Sequence, residues 1–280
     1  TNLVTGIVNA MMDSQPVIAI TGQVPREALG TDAFQETDIT GILLPVTKYA
    51  VTVKEPSKLA QTFVDAYHIA TAGRPGPVLI DVPRDVFQAD VEPQWKDEPS
   101  LIKYTLSHLA RHPQEPNPEL ISKAAEILMN AEKPVIIAGG GVIISNATEE
   151  LTKLAEYLMA PVVVTTPGLG SIPSDHPLML GVIGMHGRVE ANMALVESDT
   201  VLAVGVRFSD RSVGRFDDFQ KGRKIIHVDI DASELGKNVT PTVSIAGDAK
   251  RILAELYACI ISRTARKEAR PFVQRLKAIG

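Results

Sequence analysis

The sequence PVIIAGGG at residues 134–141 is a short apolar run, rich in branched side chains, that ends in three glycines. Three later stretches follow the same plan: PVVVTT at 161–166, DTVLAVGVRF at 199–208 and KIIHVDID at 224–231. Helical patterns lie between them, one of them at 148–159. Short buried strands that alternate with helices are typical of an α/β fold, with a parallel sheet flanked by helices.

Each of these four strands ends in glycines or polar residues, and ligands bind beyond the carboxyl ends of strands in open parallel sheets. Glycines let the backbone approach a diphosphate, and carboxylates can accept hydrogen bonds from ribose hydroxyls. Taken alone, the three glycines fit a tight turn equally well, and GGGVIISN lacks the dinucleotide fingerprint G-x-G-x-x-G. Four such strand ends in series favour a nucleotide-type cofactor.

Two further motifs are candidates for ligand contact. His186 has a glycine on each side in GMHGR, which favours ligand contact over a role as catalytic base, and a helix cap is the structural alternative. Arg207 and Arg211 flank a short polar stretch in VRFSDR. They form either surface ion pairs with nearby aspartates or a site that recognises a phosphate or a ring through planar guanidinium groups. The position of Arg207 at a strand end favours the second interpretation.

The first third of the chain has the same alternation of strand and helix. The predicted strands are PVIAIT at 16–21, KYAVTV at 48–53 and PVLIDVP at 77–83. A polar loop at 22–38 is long for a connection within a compact domain, and such loops are usually functional or disordered. Residues 88–117 change character, with scattered prolines and charges, and are predicted to form an interdomain linker.

Composition excludes several classes of protein. The chain has 28 Lys and Arg against 33 Asp and Glu, so no basic excess favours nucleic acid. Cys259 is the only cysteine, which excludes an internal disulfide and a multi-cysteine metal site, and fits a reducing compartment such as the cytoplasm. No apolar stretch has a length that would cross a membrane. The six histidines show no convincing spacing for a metal site: His108 and His112 are four positions apart, but they lie in the predicted linker without a helical apolar pattern.

The motifs together resemble a known family. The stretch from TNLVTGIVNAMMDSQPVIAITGQVPREALGTDAFQET, followed by GRPGPVLIDVPRDV, AGGGV, GMHG, GVRFSDR and HVDID, is similar to the large, catalytic subunit of acetohydroxyacid synthase, or acetolactate synthase. That family condenses pyruvate with a second pyruvate or with 2-oxobutyrate, releasing CO₂, in branched-chain amino-acid biosynthesis. The resemblance implies thiamine diphosphate and Mg²⁺ in the complete enzyme, and a mainly structural FAD.

The resemblance also implies a domain plan. Residues 1–88 correspond to the C-terminal half of a thiamine pyrimidine-binding domain, and 89–117 to a linker. Residues 118–264 correspond to a Rossmann-like, FAD-binding central domain, and 265–280 to the start of a linker toward a diphosphate-binding domain. The chain opens with Thr1 and a helical pattern, so we expect a fragment. In the family, the glutamate that activates thiamine and the metal–diphosphate motif lie outside the matched region, so this chain is expected to be inactive alone.

Residue roles carry over from the resemblance motif by motif. The family loop that contains Gln23, Phe34 and Gln35 faces thiamine and substrate from a neighbouring subunit, so the resemblance implies at least a homodimer. A regulatory small subunit is a further partner that the resemblance suggests. Arg84 is implied at the same channel, where the family usually has Lys, and Ser209 replaces a common Asp. The implied FAD contacts are Arg74, Gly139, Gly140, Gly141, Thr165, Thr166, Met185, His186, Gly205, Arg207, Asp210, Arg211, Asp229, Ile230 and Asp248.

Two alternatives remain open on the sequence. The first is another thiamine-diphosphate enzyme, such as pyruvate oxidase or glyoxylate carboligase. The second is a non-catalytic module that only binds a nucleotide.

Overall fold

The computed structural model describes residues 1–92, 94–97 and 115–279. The chain divides into two compact units, Thr1–His112 and Pro113–Gly280. Both units contain parallel sheets flanked by helices, which confirms the predicted α/β class. Most of the predicted linker, together with His108 and His112, lies outside the described residues.

The first unit is built on three parallel strands in the order β1-β3-β2, and β3 is buried along its whole length. Successive side chains of a strand point to opposite faces. Val78, Ile80 and Val82 therefore pack with one group of buried residues, and Leu79 packs with another. The elements are α1 (Val4–Met12), β1 (Ile18–Gln23), α2 (Ile39–Leu43), β2 (Tyr49–Thr52), α3 (Leu59–Thr71), β3 (Val78–Pro83) and α4 (Arg84–Phe87).

The second unit contains six parallel strands in the order β6-β5-β4-β7-β8-β9. Numbered within the unit, this order is 3-2-1-4-5-6, that of the doubly wound dinucleotide-binding fold. The strands are β4 (Pro134–Ala138), β5 (Val162–Val164), β6 (Met179–Val182), β7 (Thr200–Val204), β8 (Lys224–Asp229) and β9 (Val243–Ala246). The helices are α5 (Pro118–Met129), α6 (Gly140–Ile144), α7 (Thr148–Leu158), α8 (Val189–Glu197), α9 (Asp210–Val213), α10 (Phe216–Gln220), α11 (Ala249–Ile261) and α12 (Pro271–Lys277).

Side-chain caps fix the starts of two helices that cover this sheet. The carboxamide of Asn117 accepts a hydrogen bond from the backbone N–H of Glu119 at 2.9 Å, and Pro118 occupies the first turn of α5. The carboxylate of Asp248 accepts one from the N–H of Arg251 at 3.1 Å, at the start of α11.

The elements that the sequence did not predict include two strands and the last helix. The strands β6 and β9 lie at the two edges of the sheet, where strands are partly exposed, and Gly181 interrupts the apolar residues of β6. Helix α12 buries Phe272, Val273 and Leu276 in the core of the second unit, where the sequence suggested the start of a linker. No helix among the described residues is long and apolar enough to cross a membrane.

Candidate cofactor-binding site

The predicted cofactor residues of the second unit lie at the carboxyl ends of its six strands, a side of the sheet here named the strand-end edge. All six strands are parallel, so their carboxyl ends lie on the same side. Every strand contributes: Gly139, Gly140 and Gly141 follow β4, Thr165 and Thr166 follow β5, Met185 and His186 follow β6, Gly205, Arg207, Asp210 and Arg211 follow β7, Asp229 and Ile230 lie at the end of β8, and Asp248 follows β9. The sequence predicted only four of these six strand ends.

The strand order reverses between β4 and β7, which is where doubly wound sheets bind dinucleotides. At this point the backbone N–H of Gly139 donates to the carbonyl of Val204 at 2.9 Å. A Cβ atom on Gly139 would collide with the carbonyl oxygen of Gly205, and one on Gly141 would lie 2.7 Å from the Cα atom of Gly205. The glycines therefore allow two chain segments to touch, with bare backbone at the reversal of strand order.

The loop after β6 is fixed from two sides. The side chain of Asn192 accepts a hydrogen bond from the N–H of Gly184 at 2.9 Å and donates one to its carbonyl at 3.0 Å. The N–H of Met185 donates to the carbonyl of Arg211 at 3.1 Å, and Arg211 reaches the sulfur of Met185 at 3.7 Å. His186 and Met185 are exposed at this edge, which leaves the proposed contact between His186 and a ligand open.

The carboxylates at the end of β8 shape a local turn. One oxygen of the buried Asp229 accepts from the N–H of Asp231 at 2.9 Å, and Asp231 in turn accepts from the N–H and hydroxyl of Ser233. After β7, the Nε atom of the exposed Arg211 lies 3.9 Å from a carboxylate oxygen of Asp210. The surface ion pair that the sequence offered as an alternative is therefore present, with a long N–O distance.

In the first unit, Gln23 ends β1 and joins two segments. Its side-chain amide donates to the carbonyl of Thr37 at 2.8 Å and to the carboxylate of Asp81 at 3.3 Å. The buried Asp81 also accepts from the hydroxyls of its two register partners, Thr21 at 2.7 Å and Thr52 at 3.1 Å. Gln23 thus connects the long polar loop to the carboxyl end of the central strand.

That loop presents Phe34, whose side chain is 89% exposed, and Gln35, whose φ is +64°. The carboxylate of Glu36 accepts from the backbone N–H groups of Gly30, Thr31 and Ala33. These hydrogen bonds, that of Gly30 first, lower the pKa of Glu36 although desolvation acts in the opposite direction. A single ionised side chain therefore holds the turn that presents both predicted residues.

Two further predicted residues also belong to the first unit, and Arg84 directly follows Pro83, the register partner of Gln23. Arg74 belongs to the first unit, where its Nε donates to the hydroxyl of Ser14 at 2.9 Å. Arg84 is exposed at the first position of α4, and its neighbour Asp85 pairs with Arg26 at 2.5 Å. Among the described residues, no group of three His, Cys, Asp or Glu side chains could hold a metal ion.

The sequence did not reveal that four polar residues order these segments: Asp81, Asn192, His227 and Asn238. Three of them contact groups far along the chain, as when Asn238 donates to the carbonyl of Arg207 at 3.0 Å, and Asn192 contacts Gly184, eight positions earlier. A pattern of local spacing does not reveal such pairs. Only the burial of polar types inside strands, as for Asp81 in VLIDVP and His227 in KIIHVD, was available as a signal.

Two stretches of the chain match known enzyme domains. Residues 1–42 match the family described as "Thiamine pyrophosphate enzyme, N-terminal TPP binding domain", and residues 121–256 match "Thiamine pyrophosphate enzyme, central domain". The chain belongs to the thiamine pyrophosphate enzyme family. The residues of the strand-end edge therefore belong to its central domain, from Gly139 to Asp248.

Similar curated proteins are acetolactate synthases. The chain is 48% identical over 268 residues to the probable acetolactate synthase large subunit of Methanocaldococcus jannaschii, covering 94% of this chain and 44% of the relative. It is 47% identical to the acetolactate synthase large subunit of Corynebacterium glutamicum, covering 91% and 40%. For acetolactate synthase 1, chloroplastic, of Zea mays the identity is 43%, covering 95% and 41%. These matches confirm the resemblance, and the chain spans less than half the length of these relatives.

Proposed function

We propose that the chain is part of an acetolactate synthase large subunit, in which the second unit binds FAD and the first unit contributes to the thiamine diphosphate site. The reaction joins pyruvate to a second 2-ketoacid, pyruvate or 2-oxobutyrate: one pyruvate loses CO₂, and its remaining two carbons form a bond to the keto carbon of the other. The observation that carries this proposal is the 48% identity over 94% of the chain.

The geometry of the second unit supports FAD as its ligand. Gly139 and Gly205 meet at the reversal of strand order with no room for a side chain, and bare backbone at this place in the fold suits the close approach of a diphosphate. Arg207 and Arg211 supply positive charge beside it, and Asp229 and Asp248 end the strands farther along the edge. When bound, FAD would serve structure rather than carry electrons in the condensation.

In the first unit we assign Gln23, Phe34, Gln35 and Arg84 to the thiamine and substrate side. When bound, thiamine diphosphate with Mg²⁺ would supply the electron sink for the decarboxylation. Phe34 offers an apolar face that excludes water, Gln35 offers an amide to a substrate oxygen, and Arg84 offers a cation to a ketoacid carboxylate. The exposure of Phe34 suits a loop that meets a neighbouring subunit.

We also propose that the protein forms a homo-oligomer, binds a regulatory small subunit and lies in the cytoplasm. A homo-oligomer follows if the loop of Phe34 completes a site on a second copy. The words "large subunit" in the names of the relatives favour a regulatory small subunit. The single Cys259 suits a reducing cytoplasm.

A chimaeric enzyme tests the proposed activity. Residues 1–280 would replace the matching region of the Methanocaldococcus jannaschii relative, and acetolactate would be measured with pyruvate, thiamine diphosphate, Mg²⁺ and FAD. We expect acetolactate and CO₂ with the flavin absorbance unchanged. Bleaching of the flavin by pyruvate would support a pyruvate oxidase instead. A chimaera that binds FAD but forms no product, beside an active parent, would favour a non-catalytic module.

A further inference from the structure

The segment Gly205, Val206, Arg207 and Phe208, here named the Arg207 turn, has an unusual backbone. Gly205 has a φ of +61° and Phe208 a φ of +48°, so the first and last residues of the turn are both left-handed. A bulky aromatic residue in this region is a genuine outlier. Such conformations persist only where the surrounding structure fixes them, and they concentrate at functional sites. Contacts from the rest of the unit must therefore hold the Arg207 turn in this conformation.

Two side chains from other parts of the unit hold three successive carbonyl groups of this turn. The Nε2 atom of His227, on β8, lies 2.8 Å from the carbonyl oxygen of Val206. The Nδ2 atom of Asn238 donates to the carbonyl of Arg207 at 3.0 Å and to that of Phe208 at 3.2 Å. The ring of His227 also packs against the ring of the buried Phe208 in a T-shaped arrangement, with centroids 4.8 Å apart.

His227 and Asn238 are here named the clamp, and the hydrogen bond that His227 makes determines where its ring carries a proton. A carbonyl oxygen only accepts hydrogen bonds, so Nε2 must carry a proton. Burial, which disfavours the charged ring, lowers the pKa of His227. The neutral ring with the proton on Nε2 is therefore the form that holds the turn.

We infer that His227 and Asn238 are positioning residues that hold Arg207 ready for the cofactor at the strand-end edge. The inference rests on the proposed function, because it names FAD as the ligand. The Arg207 turn begins at Gly205, which contacts Gly139 and Gly141 at the reversal of strand order. A planar, permanently charged guanidinium two residues beyond suits a diphosphate or a flat ring system. A turn that is already ordered loses less freedom on binding, which raises affinity.

The test uses the full chain with FAD as the probe. His227→Leu removes the donor and leaves the buried carbonyl of Val206 unpaired, and Asn238→Asp sets an acceptor against two carbonyls. His227→Gln keeps a donor at similar reach and is the rescue variant. Ile260→Ala, in the last turn of α11 and fully buried, is the control for general loss of stability. Flavin fluorescence measures the dissociation constant, and hydrogen–deuterium exchange follows residues 205–212 without ligand.

We expect His227→Leu and Asn238→Asp to weaken FAD binding by about tenfold or more and to speed exchange in the Arg207 turn. His227→Gln should recover most of the affinity, and Ile260→Ala should lower the melting temperature with little change in either readout. Affinity and exchange that stay at the wild-type level in both clamp variants would overturn the inference. If the wild type binds no FAD, the proposed function fails, and exchange in the turn still decides whether the clamp exists.

Discussion

The two units order their strand-end residues by different means. In the second unit, backbone meets backbone: Gly139, Gly141 and Gly205 leave no room for a side chain between neighbouring segments. In the first unit, carboxyl side chains accept the hydrogen bonds that order the segments: Asp81 accepts from Gln23 and two threonines, and Glu36 accepts from the turn that presents Phe34. The difference predicts that a side chain added at these glycines destabilises the second unit, and that loss of a carboxyl group destabilises the first unit.

The largest effect is expected at the backbone contact. Gly205→Ala combines a left-handed φ with a collision against the backbone of Gly141, and should lower the free energy of unfolding by about 3 kcal/mol. Gly222→Ala is the matched control, because Gly222 has a φ of +74° but open space around it. Its cost should be about 1 kcal/mol. Urea unfolding followed by circular dichroism measures both, and equal losses would refute the close-contact explanation.

A smaller effect is expected at Asp81. Asp81→Asn weakens three side-chain hydrogen bonds to a buried carboxylate, so the first unit should lose about 2 kcal/mol of stability. Hydrogen exchange should accelerate in peptides from β1 and β3 and stay unchanged in peptides from β4 and β7. Asp90→Asn removes the same charge at an exposed position and should have no such effect. Unchanged exchange in β1 and β3 would contradict the role given to Asp81.

The smallest effect is expected at Glu36, and it depends on pH. Its pKa is lower in the folded chain than in the unfolded chain, so its contribution is present above the ordinary glutamate value, about 4.3, and is lost as the pH falls through the lowered value. Protection factors of the Gly30, Thr31 and Ala33 amides, measured by NMR, should therefore fall on acidification.

Glu36→Gln should lower those protection factors at neutral pH and remove most of their dependence on pH. Glu27→Gln removes an exposed charge from the same loop and serves as the control. If the wild type and Glu36→Gln have the same protection at neutral pH, Glu36 does not hold the turn.

The sequence predicted the central strands well because each is an apolar run that contrasts with its surroundings, as in PVIIA and PVLIDVP. It missed β6 and β9 because edge strands need less apolar surface, and β6 contains Gly181 with a φ of +108°. Without those strands, Met185 and Asp248 could be assigned only by resemblance, and the nearby glycines identified His186 only as a candidate ligand contact. The structure brings their segments to the same edge as the other candidates.

The polar residues that order the site were beyond local pattern. Thr21 and Asp81 are 60 positions apart, and Asn238 reaches a turn 31 positions earlier. Such pairs depend on strand order, which spacing does not contain. Arg74 marks the opposite limit: only the resemblance to a family suggested it, and in the first unit it donates to Ser14.

The most direct test of the central claim is the visible absorption spectrum of the purified chain after incubation with FAD and removal of the excess. The cofactor would then be released by acid and identified. If the six strand ends form the FAD site, the protein will be yellow and will release stoichiometric FAD, and Gly205→Ala will take up much less. A folded wild-type chain that stays colourless would contradict the assignment of this edge to FAD.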